Sequence, residues 1–166
     1  MENEEMIPEI RQIYADYLID VMNLEAKRKP TDGLMGFGKR TDYDPCHERF
    51  AEKLEQKLKD IENMSPSSEE AGAVLRYVFN APQEEEGSLS AYWMLLAVHG
   101  YTDGLISFLS KQDAKELSEL YADLYPKHKR LPVQQNIASH LQEQAGGSKK
   151  SKGLFGFLNS RGSKDN

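Results

Sequence analysis

The stretch GLMGFGKRT, from Gly33 to Thr41, divides the fold classes open to this chain. Gly33, Gly38 and Lys39 match the first seven positions of the phosphate-binding loop G-x-x-x-x-G-K, in which backbone N–H groups and a helix N-terminus converge on phosphate. Such a loop needs a buried β-strand before it and a helix directly after it. To accept it is therefore to accept an α/β nucleotide-binding fold. The neighbouring residues meet neither requirement. LEAKRKPTD, Leu24 to Asp32, is the charged end of an amphipathic run, not a strand. Arg40 stands where the magnesium-binding Ser or Thr should follow Lys39, with Thr41 displaced by one. The next helix signal is Asp44-Pro45. No nucleotide is expected here, and the fold class has to come from periodicity.

Outward from that segment the period is helical throughout. Upstream, Ile7, Ile10, Tyr14, Tyr17, Leu18, Val21 and Leu24 form one stripe, following Pro8 as a first-turn residue and ending near Lys27. Downstream, Phe50, Leu54, Leu58 and Ile61 form a second, opened by Asp44 as cap and Pro45 in the first turn. SPSSEEA offers Ser67 and Glu70 as a capping box before Val74, Leu75, Val78 and Phe79. Asn80 to Gly87, with Pro82 and Glu84-Glu85-Glu86, is read as a solvated loop. Ser88 or Ser90 then opens a very apolar helix to about His99, with Tyr92 and Trp93 as core anchors. A short helix follows in TDGLISFL. Ser110 and Asp113 suggest another capping box ahead of Leu117, Leu120, Tyr121 and Leu124. Val133, Ile137 and Leu141 mark a last helix from near Pro132.

β-branched alternation is nowhere evident, so no strand is predicted. The fold expected is all-α, an irregular bundle of six or seven helices. LAVHGYTDGLISFL, Leu96 to Leu109, is similar to part of one ankyrin unit. The hairpin-opening motif of that family is missing and no second copy occurs at its period, whereas stacked repeats need at least about three units.

With 166 residues the chain is the size of one domain, and 39% hydrophobic against 29% charged residues is an ordinary globular balance. One Cys rules out an internal disulfide and suits a reducing compartment. MENEEM lacks the pattern of an export signal, and the longest apolar run, Ala91 to Val98, is too short to span a membrane. Cytoplasmic localisation is the expectation. The net charge of −6 is unevenly spread: residues 146–166 carry +4, while residues 1–145 carry sixteen basic against twenty-six acidic residues, or −10. An acidic body repels the nucleic-acid backbone, so no nucleic-acid partner is expected.

Two segments stand out from this single acidic domain of residues 1–145. The loop around residues 28–44 is longer than most connections, and it sets Leu34, Met35 and Phe37 among glycines, bracketed by Lys27, Arg28, Lys29, Lys39 and Arg40. Its simplest role is to tuck Leu34 and Phe37 into the core. Residues 146–166 form a basic-aromatic tail, expected to be flexible after Ala145-Gly146-Gly147-Ser148. There Gly153-Leu154-Phe155-Gly156-Phe157 echoes Gly33-Leu34-Met35-Gly36-Phe37. A disordered terminus should be poor in large apolar residues. This one holds Leu154, Phe155, Phe157 and Leu158 close behind Lys149, Lys150 and Lys152. It reads as a docking segment for the chain's own acidic body, for a protein partner or for an anionic membrane surface.

Residues suited to chemistry are few. Cys46 and His47 lie beside Asp42 and Asp44, but helical neighbours point roughly 100° apart and cannot easily chelate one ion. Cys46 is in line with Phe50 and Leu54, as a small buried hydrophobe would be. His99 and His140 fall on apolar faces, and His128 sits in the charged KHKR segment. No cofactor or metal is assigned. The functional expectation is a non-catalytic intracellular adaptor or regulatory protein. Its partner-binding residues are Met35, Phe37, Lys39, Arg40, Lys149, Lys150, Lys152, Leu154, Phe155, Phe157 and Leu158. The alternatives are an enzyme or metal-binding protein with a site near Cys46, His47, His99 or His140, and a peripheral membrane protein tethered by the tail.

Overall fold

The computed structural model describes residues 3–27, 44–84 and 88–147. Among them are seven α-helices and no strand: α1 (Asn3–Ala26), α2 (Pro45–Asn63), α3 (Ser68–Glu84), α4 (Leu89–His99), α5 (Asp103–Ile106), α6 (Lys111–Leu124) and α7 (Pro132–Gln144), with a 3₁₀ turn at Lys127–Lys129. The expected irregular all-α bundle is the fold found.

Helix α3 is the central element, in contact with α1, α4, α5 and α6; α2 joins α1 to α4, and α7 closes the other side against α6, α4 and α5. The apolar stripes explain this order. Phe50, Leu54, Leu58 and Ile61 of α2 are all buried, as are Val74, Leu75, Val78 and Phe79 of α3. Phe79 meets Tyr121 of α6 edge-on at 4.9 Å between ring centroids. Truncating such a ring to Ala costs about 3–5 kcal/mol. Exposed ion pairs, Lys57 to Glu9 and Arg76 to Glu116, run between helices but each adds under about 1 kcal/mol.

The helix starts follow their side chains. Asp44 accepts the backbone N–H of Cys46 at 2.9 Å, the cap expected of it. Ser67 and Glu70 form the full reciprocal box, Glu70 N–H to Ser67 Oγ and Ser67 N–H to the Glu70 carboxylate. Ser88 Oγ accepts the N–H of Ala91 and so opens α4. Ser110 accepts the N–H of Asp113 at 3.1 Å, but only half of that predicted box exists. The Ser110 N–H goes to Ser68 Oγ at 2.7 Å, and Ser68 in turn donates to the Asp113 carboxylate. The starts of α3 and α6 thus share one network.

Three sequence expectations need correction. Pro8 is not a first-turn residue, because α1 begins at Asn3. Burial of Met6, only 4% exposed, favours the extra turn. Asn80 to Glu84 is not loop: α3 continues to Glu84 with Pro82 in its last turn, where a missing N–H costs one hydrogen bond and the ring is buried. Tyr92 is not a core anchor but 49% exposed, and Trp93 is half-buried. Helix α4 is apolar on nearly every face, so periodicity could not say which residues point inward.

Candidate functional site

A cleft of about 400 Å³ opens where the end of α3, the side of α4, the end of α6 and the start of α7 meet. Its walls are Pro82 and Gln83 from α3, Ala91 and Leu95 from α4, Leu124, Tyr125 and Pro126 from the end of α6, and Leu131 and Gln134 from the start of α7. Pro82 and Pro126 have local reasons to be there. One closes α3 and the other stops the chain after α6, so each puts a ring without an N–H at a helix end.

The polar groups around the cleft are turned toward backbone. The Tyr125 hydroxyl donates to the Phe79 carbonyl at 2.6 Å, and burial pushes its pKa up to about 12. Gln83 Nε2 donates to the Leu124 carbonyl at 3.2 Å. Gln134, 3% exposed, accepts the Leu131 N–H at 2.8 Å. Arg130 Nε donates to the Tyr125 carbonyl at 2.7 Å, with its guanidinium 5.9 Å from the Tyr121 ring centroid. These bonds brace the α6–α7 corner, and the lining joins aliphatic and proline surface to polar groups, with Asp123 and Lys129 as its charged members. A concave space that joins apolar surface to a few fixed polar groups is a usual form of binding site.

The same helix carries exposed apolar surface. Tyr92 and Leu96, 49% and 38% exposed, lie one turn apart and about 100° around α4 from Ala91 and Leu95. The cleft wall therefore passes directly into an uncovered aromatic and aliphatic strip.

The Cys46–His47 region is a packed junction of α1, α2 and α4. Tyr17 Oη and His47 Nδ1 lie 2.7 Å apart, both residues buried. The His47 ring stacks on Trp93 at 5.0 Å with an interplanar angle of 1°, and Tyr17 stacks on Phe50 at 4.2 Å. Cys46 is buried as expected; burial, then the Asp44 carboxylate, pushes its thiol up to about 11. The thiolate needed for nucleophilic or metal chemistry is thus disfavoured near neutrality. His140 pairs with Asp103 at 3.0 Å, far from this junction in the helix order, and His128 is exposed in the 3₁₀ turn. Among the described residues, no three His, Cys, Asp or Glu side chains gather to hold a metal.

The partner-binding residues expected from sequence all lie outside the described residues: Met35, Phe37, Lys39 and Arg40 in 28–43, and Lys149, Lys150, Lys152, Leu154, Phe155, Phe157 and Leu158 in 148–166. The side chain of His99 and all of Asp42 lie outside them as well. The phosphate-loop motif is likewise outside, but the described chain on either side of it is helix, α1 before and α2 from Pro45 after. Sequence reading missed the cleft because its walls come from four elements. Its one local signal was the surplus of apolar residues in α4. No described helix is long and apolar enough to cross a membrane. Comparisons with protein-family models, curated proteins and solved structures return no match.

Proposed function

We propose that this chain acts by binding, as an adaptor or regulatory protein whose α4 cleft receives an apolar side chain of a protein partner. The supporting observation is the continuity between the cleft and the exposed Tyr92–Leu96 strip. An anchor residue would enter between Leu95, Pro126 and Leu131, and a flanking helix or extended segment would cover Tyr92 and Leu96. Interfaces of this kind draw most of their affinity from a few aromatic or aliphatic anchors in a water-excluding pocket.

The test is photo-crosslinking from a benzophenone amino acid at Tyr92, followed by titration of the captured protein against variants. Leu96→Glu and Tyr92→Ala, both at exposed positions, should weaken the complex by about tenfold or more while leaving the melting temperature within a degree or two. About 1.4 kcal/mol corresponds to that factor. A partner held equally well by both variants would refute the reading.

A further inference from the structure

A second, smaller groove lies where the first turns of α3 meet the start of α1. It has room for one large side chain, about 140 Å³, between Met6 and Ile7 of α1 and Ala73 and Val74 of α3. Glu69 and Glu70 stand at its edge. Glu70 is engaged with the Ser67 N–H, whereas Glu69 is exposed and has no ion-pair partner among the described residues. The groove is therefore apolar within and acidic at the rim.

The end of α7 is tied to the first turn of the same helix, α3. Gln144 Nε2 donates to the Leu109 carbonyl at 2.7 Å, and the next residue, Ser110, donates its N–H to Ser68, the residue before Glu69. Two hydrogen bonds thus connect the last residue of α7 to the first turn of α3. The helix stops in a fixed way: Gly147 N–H bonds the Gln142 carbonyl and Gly146 N–H the Glu143 carbonyl, with Gly146 at φ +89°. This Schellman arrangement ends the helix, with Gly146 in the left-handed region. A Cβ on Gly147 would come within 2.8 Å of the Gln142 oxygen, so the position suits glycine alone.

We infer that the segment Lys149–Leu158 docks on its own chain, placing Phe155 or Phe157 in the groove between α1 and α3. Three observations favour this occupant. The chain leaves α7 at the end of the bundle that holds the first turn of α3. Phe155 is eight residues past Gly147, a reach of up to about 27 Å. Lys149, Lys150 and Lys152 complement Glu69 and Glu70, while the α4 cleft offsets Asp123 with Lys129 in its lining and lies beside the basic Lys127–Arg130 turn. The inference does not depend on the α4 cleft having a partner.

The experiment uses the full chain with a benzophenone amino acid at Phe155, and in a second protein at Phe157, irradiated at micromolar concentration and mapped by mass spectrometry. Adducts should appear in the monomer band, on Met6–Ile7 and on the peptide containing Ala73. Glu69→Lys combined with Ala73→Arg, both at exposed positions, should cut the yield at least fivefold. Glu119→Lys on α6 should leave it unchanged. Adducts only between two copies, adducts scattered over the surface, or no adduct from either position would overturn the inference. So would co-sedimentation with phosphatidylserine vesicles that needs Phe155 and Phe157 but is not raised by Glu69→Lys plus Ala73→Arg, since the tail would then be available to a bilayer without leaving the groove.

Discussion

Tyr17 and His47 meet at 2.7 Å between two buried side chains, and one helical turn earlier Tyr14 buries its hydroxyl with no hydrogen-bond partner among the described residues. The two tyrosines share α1, each packs against Phe50, and each is 3% exposed. They differ in what the phenol oxygen finds.

Tyr17→Phe removes a partner from a fully buried imidazole and should destabilise the fold by about 1–3 kcal/mol. Tyr14→Phe deletes a buried hydroxyl that has no partner among the described residues and should be neutral or stabilising. Urea unfolding of the two variants beside the parent decides this. Equal losses from both would show that the hydroxyl of Tyr14 is as well satisfied as that of Tyr17.

Cys46 should behave as a core residue. With its thiol pushed up to about 11 and its surface 3% exposed, it should react slowly with a thiol reagent in the native state and rapidly in denaturant. Cys46→Ser places a hydroxyl in an apolar site and should cost about 1–3 kcal/mol. Fast labelling of the native protein contradicts this packing.

The buried phenols set the alkaline limit of the fold. Burial raises the pKa of Tyr14, Tyr17 and Tyr121 well above the ordinary value and that of Tyr125 to about 12. A folded-state pKa above the unfolded one gives stability that is complete below the unfolded value, near 10, and is lost as pH rises beyond it. The melting temperature should hold to about pH 9 and fall steadily from pH 10 upward. Tyrosinate absorbance from these four rings should emerge together with unfolding. If they titrate while the far-ultraviolet helix signal is intact, they are open to solvent.

Much of this bundle was legible in the sequence because α2, α3 and α6 each present one apolar stripe with a capping residue ahead of it. Asp44, Ser67 and Ser110 cap the helices that follow them. What failed depended on tertiary surroundings. Pro82 looked like a breaker until its ring proved to be buried at the end of a helix that tolerates it. Tyr92 and Trp93 looked equivalent, yet one faces solvent and the other lies on His47. The His47 contacts come from α1 and α4, which are separated in sequence from α2, so no local pattern marks His47 as a core residue. The α4 cleft is the extreme case, since none of its four walls suggests concavity alone. The basic-aromatic echo of GLMGFGKRT was visible in sequence, but those residues lie outside the described structure.

The last prediction concerns Asp113, where two helix starts are joined. Its carboxylate accepts from Ser68 and Ser110, and these two bonds, Ser68 first, hold its pKa below the usual 3.8. A folded-state pKa below the unfolded one gives stability that is complete above the unfolded value and disappears as pH falls through the folded value. Asp113→Ala should therefore lower the urea midpoint at pH 7, and its deficit relative to the parent should shrink as pH is taken below about 4. Ser110→Ala removes the α6 cap and should cost about 0.5–2 kcal/mol at pH 7. Because Ser68 bonds both the Ser110 N–H and Asp113, Ser68→Ala and Asp113→Ala should be non-additive, the double variant losing less than the two single losses together. Strict additivity, or an Asp113→Ala deficit independent of pH, would mean that α3 and α6 are capped separately.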